Sequence, residues 1–322
     1  MTIVADVKEH GFGAVRDWAL ELDGIEPARA APAGRVPEHA IRELADRVRR
    51  WHALQRPRDV TLEIEPGVVL ERRWFPLETI GVYVPRSLVS TLVMCVVPAQ
   101  VAGVSRIVVC TPPEGAGLVA AAAQLLGVDD VWALGGPQAI GHLAYVERVD
   151  KIVGPGNRYV NEAKLEVARD VAIDLPGGPS EVVVVGDGDP RVIEQELAAQ
   201  QEHGADSVCR ALATLDEAEA VAPEHLVLLG EAEAEVDRVR NAGAVFVGPW
   251  SPVAAGDYAT GANHVLPTNG WARSLGGLGL ETFMKPVTFQ RLTREGLARI
   301  RPTAEALAAL EGMPAHAAAV GR

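Results

Sequence analysis

Asp130-Val131-Trp132-Ala133-Leu134-Gly135-Gly136-Pro137-Gln138-Ala139-Ile140 decides the reading of the fold. Five residues of strand composition run into a glycine pair, and a proline then opens a helix. The same grammar recurs on both sides. Ile80-Gly81-Val82-Tyr83-Val84 reads as a strand, with a helix following from about Met94 to Gly103. Arg106-Ile107-Val108-Val109-Cys110 is the next strand, and Gly117 to Gly127 an Ala-rich helix. Lys151-Ile152-Val153 is a strand ending in Gly154-Pro155-Gly156-Asn157, and a helix runs on to about Arg169. Strands alternating with helices predict a parallel sheet covered on both faces. Ligands on such sheets bind beyond the carboxyl ends of the strands, which is where both glycine turns fall.

A second series starts at Ser180. Glu181 to Val185 reads as a strand, Pro190 to His203 as a helix, and Ser207 to Leu212 and Leu226 to Leu229 as strands. A helix over Glu231 to Ala242 and a strand over Val245 to Val247 complete it. Before Ile80, the first fifty residues read as helices, and Val60-Thr61-Leu62-Glu63-Ile64 and Val68 to Arg72 as two strands around Glu65-Pro66-Gly67. After Trp271 the pattern becomes helical, with Thr293 to Leu310 its main element and Pro302 a kink or restart. The expected class is α/β: two Rossmann-like domains with mostly parallel sheets, plus a helical C-terminal tail. The expected division joins residues 1–81 to 180–270 as a metal and substrate domain. Residues 82–179 form a dinucleotide-binding-like domain, and 271–322 the tail.

At 322 residues, 48% of them hydrophobic, the chain has ample material for a core. A formal charge of −13 argues against a nucleic-acid surface, which needs clustered Lys and Arg. No apolar run of about 18 residues appears, so no membrane span is expected. The first residues, Met1-Thr2-Ile3-Val4-Ala5-Asp6, lack the basic flank and apolar core of a secretory signal, so the expected location is cytoplasmic. Cys95, Cys110 and Cys209 sit far apart in apolar runs and read as buried free thiols.

The residues that can carry chemistry gather in three runs. Gln200 and His203, in Gln200-Gln201-Glu202-His203-Gly204, are three apart at a helix end and share a face. Asp257 lies in a long run from Gly248 to Thr268 that is dense in Gly, Pro, Asn and His and also holds His264. His316 stands near the C-terminus. Gln200, His203, Asp257 and His316 are candidate zinc ligands, a set weaker than thiolates. Each alone fits a structural role as well, such as a His satisfying a helix C-terminus. Pro223-Glu224-His225-Leu226 puts a carboxylate beside an imidazole, able to serve two proton transfers at one site. Pro37-Glu38-His39 has the same letters but opens an ordinary amphipathic helix and is assigned no function.

Together these runs resemble histidinol dehydrogenase over nearly the whole chain, from about Val7 to His316. The matching segments are Gly81 to Pro85, Gly135 to Ile140, Asp150 to Asn157, Gly178 to Val182, Glu202-His203-Gly204, Pro223 to Leu226 and Gly256 to Thr268. The resemblance implies a zinc- and NAD-dependent enzyme that oxidises L-histidinol to L-histidine in two hydride transfers through an aldehyde. It implies Gln200, His203, Asp257 and His316 as metal ligands, the last supplied across a homodimer by an exchanged tail. His225 becomes the base for the alcohol and Glu224 the activator of water. Ser180, His264 and Glu311 match substrate-contacting positions, and Tyr83, Gln138 and Asn157 match dinucleotide-contacting ones.

The family chain is longer. It has a helical arm before Val7 and a helix–strand block between the positions of Gly204 and Pro223, where this chain is expected to have only a short connection. It also reads Tyr-x-Pro-Gly-Gly where this chain has Tyr83-Val84-Pro85-Arg86-Ser87. Arg86 is expected to be unable to adopt the positive φ of a glycine, which puts the cofactor site under question. Two rival readings stand beside the leading one. One is a relative acting on another small polar alcohol in secondary metabolism. The other is a zinc-holding binding protein that has lost its cofactor.

Overall fold

The computed structural model describes residues 1–321. The first helices are α1 (Ile3–His10) and α2 (Phe12–Asp23), followed by the short strand β1 (Ala28–Arg29) and helix α3 (Glu38–Ala53). Strands β2 (Val60–Glu65), β3 (Val68–Pro76) and β4 (Thr79–Tyr83) come next. The alternating series follows: α4 (Val89–Ala102), β5 (Arg106–Thr111), α5 (Ala116–Leu125), β6 (Val131–Ala133), α6 (Gly136–Gly141), β7 (Lys151–Val153), α7 (Arg158–Val167) and β8 (Ala172–Ile173). The second series is β9 (Glu181–Gly186), α8 (Pro190–Gln201), β10 (Val208–Leu212), α9 (Leu215–Val221), β11 (His225–Leu229), β12 (Ala244–Val247) and the turn α10 (Val253–Ala255). Strand β13 (Met284–Leu292) and helices α11 (Arg294–Leu310) and α12 (Pro314–Val320) end the chain.

The chain divides into two compact units. The larger contains Met1–Arg56 and Leu77–Phe283. It holds a six-stranded sheet, in the order β1-β6-β5-β4-β7-β8, and a four-stranded sheet, β10-β9-β11-β12. All pairings are parallel except β1 with β6. The alternating βα pattern of the sequence thus becomes the parallel sheets it predicts.

Both faces of the six-stranded sheet are packed. One core joins Val4, Val7, Val15 and Ala19 of α1 and α2 to Val108, Leu134, Ile140, Leu143 and Ile152. Each fully buried Leu, Ile or Val contributes about 1.5–3 kcal/mol. The N-terminal helices therefore belong to this layer, although the sequence reading grouped residues 1–81 with the second series. Their apolar stripes fit helices α6 and α7 over the first sheet, and contact along the chain does not decide which sheet a helix covers. Helix α4 is buried almost all round, as its unbroken run Leu92-Val93-Met94-Cys95-Val96-Val97 requires.

The smaller unit joins Pro57–Pro76 to the residues from Met284 onward. Its sheet is antiparallel, in the order β13-β3-β2. Glu71 of β3 pairs with Arg73 and with Arg291 of β13. The expected helical tail over 271–322 is thereby corrected in part: Met284–Leu292 is a strand, while the main helix expected over Thr293 to Leu310 is α11. Pro286 hid the strand: proline is admissible here only because β13 lies at a sheet edge. Among the described residues, only Val68, Glu71, Met284 and Gly296 of this unit are buried. Val60, Leu62 and Ile64 alternate along β2 and remain exposed, and Leu310 of α11 is 82% exposed.

Smaller departures are local. The short connection expected between Gly204 and Pro223 holds strand β10 and helix α9. The helix expected over Glu231 to Ala242 is a 3-10 stretch, Gly230–Arg238. Cys95 and Cys110 are buried as expected, but Cys209 is only half-buried, with its thiol against the Leu197 carbonyl. Arg86 adopts φ +49°, contrary to the expectation that it could not replace a glycine. Its carbonyl accepts a hydrogen bond from Thr111 Oγ1 at 2.8 Å, which helps hold a conformation costing an ordinary residue about 1–2 kcal/mol.

Candidate active site

Helix α8 leaves the carboxyl end of β9 and runs back along the sheet, so its last turn returns to the amino ends of the strands. Gln200 sits in that turn and His203 just beyond it, exposed, before Gly204 takes φ +130°. Ser180 precedes β9, and Glu224 precedes β11. The parallel register sets His225 opposite Val182, which puts Glu224 beside Glu181. Asp257 and His264 come back to this edge through the loop after β12, which contains a helical turn at Gly256–Thr260.

A chain of hydrogen bonds joins these residues. Gln200 Nε2 donates to Ser180 Oγ at 2.7 Å, and Ser180 Oγ donates to Glu224 Oε2 at 2.7 Å. The Glu181 backbone N–H donates to the same carboxylate oxygen at 2.8 Å. Burial nevertheless pushes Glu224 up to about 7, against the lowering by those two donors. Glu181 and Asp257 add like charge in the same direction.

His225 Nδ1 lies 2.9 Å from the Glu181 carbonyl, which can only accept. Nδ1 therefore carries the hydrogen, and Nε2 keeps the lone pair. Nε2 is buried with no hydrogen-bond partner among the described residues. Burial lowers the pKa of this ring, which favours the neutral form. His264 is held from two sides. Nδ1 meets the Asp257 carbonyl at 3.1 Å and Nε2 meets Thr91 Oγ1 of α4 at 3.3 Å. Burial drives this histidine down to about 4.

Asp257 is 8% exposed, yet no donor among the described residues hydrogen-bonds its carboxylate. His225 Nε2 and His264 Nδ1 stand 4.0 and 3.8 Å from Oδ1, too far to serve. Burial raises its pKa, and the charges of His225 and His203 act against that rise. A buried carboxylate without donors is costly unless a cation completes it. Gln200 and His203 are the other candidate ligands of the larger unit expected from the sequence. Among the described residues, no three His, Cys, Asp or Glu side chains converge in a metal-holding group. In the larger unit the candidate ligands supply only two of those types, His203 and Asp257, with an amide as the third donor.

The remaining expected residues sit on other elements. His316 is exposed on α12 and Glu311 caps α11, both in the smaller unit. Tyr83, Gln138 and Asn157 stand at the carboxyl edge of the six-stranded sheet. The Tyr83 hydroxyl is buried and accepts from Gly136 N–H at 3.3 Å. Gln138 Nε2 donates to Asp23 at 3.1 Å, and its Oε1 is buried without a partner among the described residues. Asn157 caps α7, accepting from Tyr159 and Val160 N–H. An orphaned amide oxygen beside a glycine turn fits a ligand that brings a donor.

Sequence reasoning missed Glu181, whose carbonyl fixes the His225 tautomer. It also missed Glu196, a buried carboxylate one turn before Gln200. Glu196 Oε2 accepts from Val253 N–H at 3.1 Å and so ties α8 to the segment carrying Asp257. Its i, i+4 spacing from Gln200 was the available signal.

A family model, histidinol dehydrogenase, matches residues 1–220 and 210–322. The histidinol dehydrogenase of Methanosarcina barkeri is 38% identical over 389 aligned positions, covering 99% of this chain and 90% of that one. That of Gluconobacter oxydans is 39% identical over 385 positions, covering 98% and 90%. The crystal structure of histidinol dehydrogenase from Elizabethkingia anophelis superposes with a TM-score of 0.89 at 33% identity, covering 99% of this chain and 90% of that chain. The alignments exceed 322 residues in length, so they contain positions with no counterpart here, and the two matched blocks meet at 210–220. A full-length match to the family and relatives above one-third identity lead to one conclusion: the chain belongs to the histidinol dehydrogenase family.

Proposed function

We propose that this chain oxidises L-histidinol to L-histidine with NAD, through the aldehyde. The observation that carries the reading is the buried, unpartnered Nε2 of His225 beside a carboxylate whose pKa is raised to about 7. Nε2 takes the proton of the alcohol as its carbon gives up hydride. Glu224 takes a proton from water as the water adds to the aldehyde, and the hydrate gives up the second hydride. A carboxylate raised to about 7 suits the second of these demands, and the neutral ring of His225, its pKa lowered by burial, is free to take a proton in the first. A dinucleotide, when bound, accepts the hydrides, and Tyr83, Gln138 and Asn157 are the residues assigned to hold it. On this reading the six-stranded sheet is the Rossmann-like dinucleotide half and the four-stranded sheet the substrate half.

Gln200, His203 and Asp257 would hold zinc, with His316 of a second copy as the fourth ligand. The undonated Asp257 carboxylate supports this assignment. Zinc bound there would hold the substrate's imidazole and amine in position. Ser180, His264 and Glu311 complete the substrate contacts. The smaller unit supports a homodimer, since four buried residues leave it little core of its own and its apolar strand face needs cover.

The two matched blocks meet just before β11, which starts at His225. A second reading is a different small polar alcohol, since the alignments to relatives hold positions that this chain lacks. A panel of amino alcohols assayed beside histidinol separates the two. Metal analysis tests the first. Purified protein is expected to carry about one zinc per chain, removable by chelator. The double variant His203→Ala, Asp257→Ala is expected to carry none, and full occupancy in it would overturn the ligand assignment.

A further inference from the structure

Lysine is almost never fully buried unless it is paired. Lys164 of α7 is 2% exposed, and it pairs with Asp174, just after β8. The pair encloses one peptide group on each side of a single residue. Lys164 Nζ donates to the Gly154 carbonyl at 2.9 Å, and Gly154 N–H donates to Asp174 Oδ2 at 2.7 Å. Asp174 Oδ1 accepts from Lys164 and, at 2.7 Å, from Leu175 N–H. Gly154 has φ +109°, and a Cβ there would meet the Tyr83 carbonyl at 2.2 Å. Asn161 adds a third hold two residues on, donating to the Gly156 carbonyl at 3.0 Å.

Burying two charges carries a desolvation penalty, and a well-packed apolar pair often matches such a bridge in stability. Stability alone therefore does not account for this pair. What it does fix is a backbone conformation. The turn Gly154 to Asn157 leads into α7, and Asp174 opens the segment running to Ser180 at the substrate edge. We infer that Lys164 and Asp174 are positioning residues that hold the Gly154–Asn157 turn in the shape that receives the dinucleotide. The inference rests on the NAD reading proposed above.

The test uses calorimetric titration of NAD+ into the zinc-loaded protein. Lys164→Met leaves Asp174 unpaired and is expected to lower the melting temperature. The double variant Lys164→Met, Asp174→Leu is expected to recover the melting temperature while binding NAD+ about tenfold more weakly, because the turn has lost its clamp. Zinc content and the KM for histidinol are expected to stay at wild-type values. Asp174→Asn, which keeps the shape of the side chain, is read in place of the double variant if that chain does not fold. It too is expected to weaken NAD+ binding with zinc content unchanged. NAD+ affinity equal to wild type in the folded variant overturns the inference alone. Loss of zinc together with NAD+ affinity indicates general distortion and also overturns it. Failure of the wild type to bind any NAD+ overturns the proposed function, and the inference with it.

Discussion

Two edges of the larger unit make opposite use of a parallel sheet. At the amino edge of the four-stranded sheet, side chains crowd together with their valences unfilled. Among the described residues, His225 Nε2 has no partner and the Asp257 carboxylate has no donor, and burial raises the pKa of Glu224 to about 7. At the carboxyl edge of the six-stranded sheet the backbone does most of the work. The Gly154 turn is bonded at both its polar atoms and Asn157 is spent capping α7. The difference teaches how a fold divides labour. Reactive groups are kept short of partners so that a substrate or a metal can supply them. A surface that only receives a ligand gains from being rigid before the ligand arrives.

The largest effect expected from breaking this contrast is at His225. His225→Ala is expected to slow the alcohol step by about 10²- to 10⁴-fold, the range for loss of a general base. Glu224→Gln is expected to spare that step and slow oxidation of the aldehyde supplied directly. The same group gives a pH signature in the metal-free protein. Its folded pKa of about 7 lies above the ordinary 4.5, so the folded state binds more protons between those values. Stability from Glu224 is thus full below about pH 4.5 and falls as pH rises through 7. Glu224→Gln is expected to flatten that part of the profile in chemical denaturation. Equal damage to both half-reactions from either variant would remove the division of roles.

A further test concerns His316, the candidate ligand in the smaller unit. His203→Ala and His316→Ala are each expected to be inactive. Co-expressed, they rebuild one intact site in every mixed dimer, so about a quarter of wild-type activity is expected from random pairing. No recovery in a verified mixed dimer means that His316 acts within its own chain or is not a ligand.

The smallest effect is at Arg86, which holds φ +49° at the carboxyl edge. Arg86→Gly is expected to relieve about 1 kcal/mol of backbone strain, a rise of about 2–4 °C in melting temperature, with NAD+ binding retained. Weaker NAD+ binding in the variant would show that the guanidinium itself contacts the dinucleotide.

The sequence made the parallel sheets legible because both signals there are local: alternating composition and glycine turns at strand ends. The pairing of Glu224 with His225 was legible for the same reason, since the two are neighbours in the chain. What stayed hidden depends on distant partners. Strand β13 exists by pairing with β3, more than two hundred positions earlier, and Pro286 masked its alternation. The His225 tautomer depends on a carbonyl 44 residues away. The assignment of α1 and α2 to the first sheet follows from packing that periodicity alone does not address. The αL conformation of Arg86 shows the limit of reading glycine as a requirement, because a side chain can be held there by its surroundings.

The central claim is that the amino-edge cluster oxidises histidinol twice. It is tested most directly by counting reduced nicotinamide formed per histidinol consumed, with histidine measured in the same reaction. Two equivalents and one histidine are expected. A single equivalent with the aldehyde accumulating would contradict the role given to Glu224, and no reduction of the dinucleotide with histidinol would contradict the account as a whole.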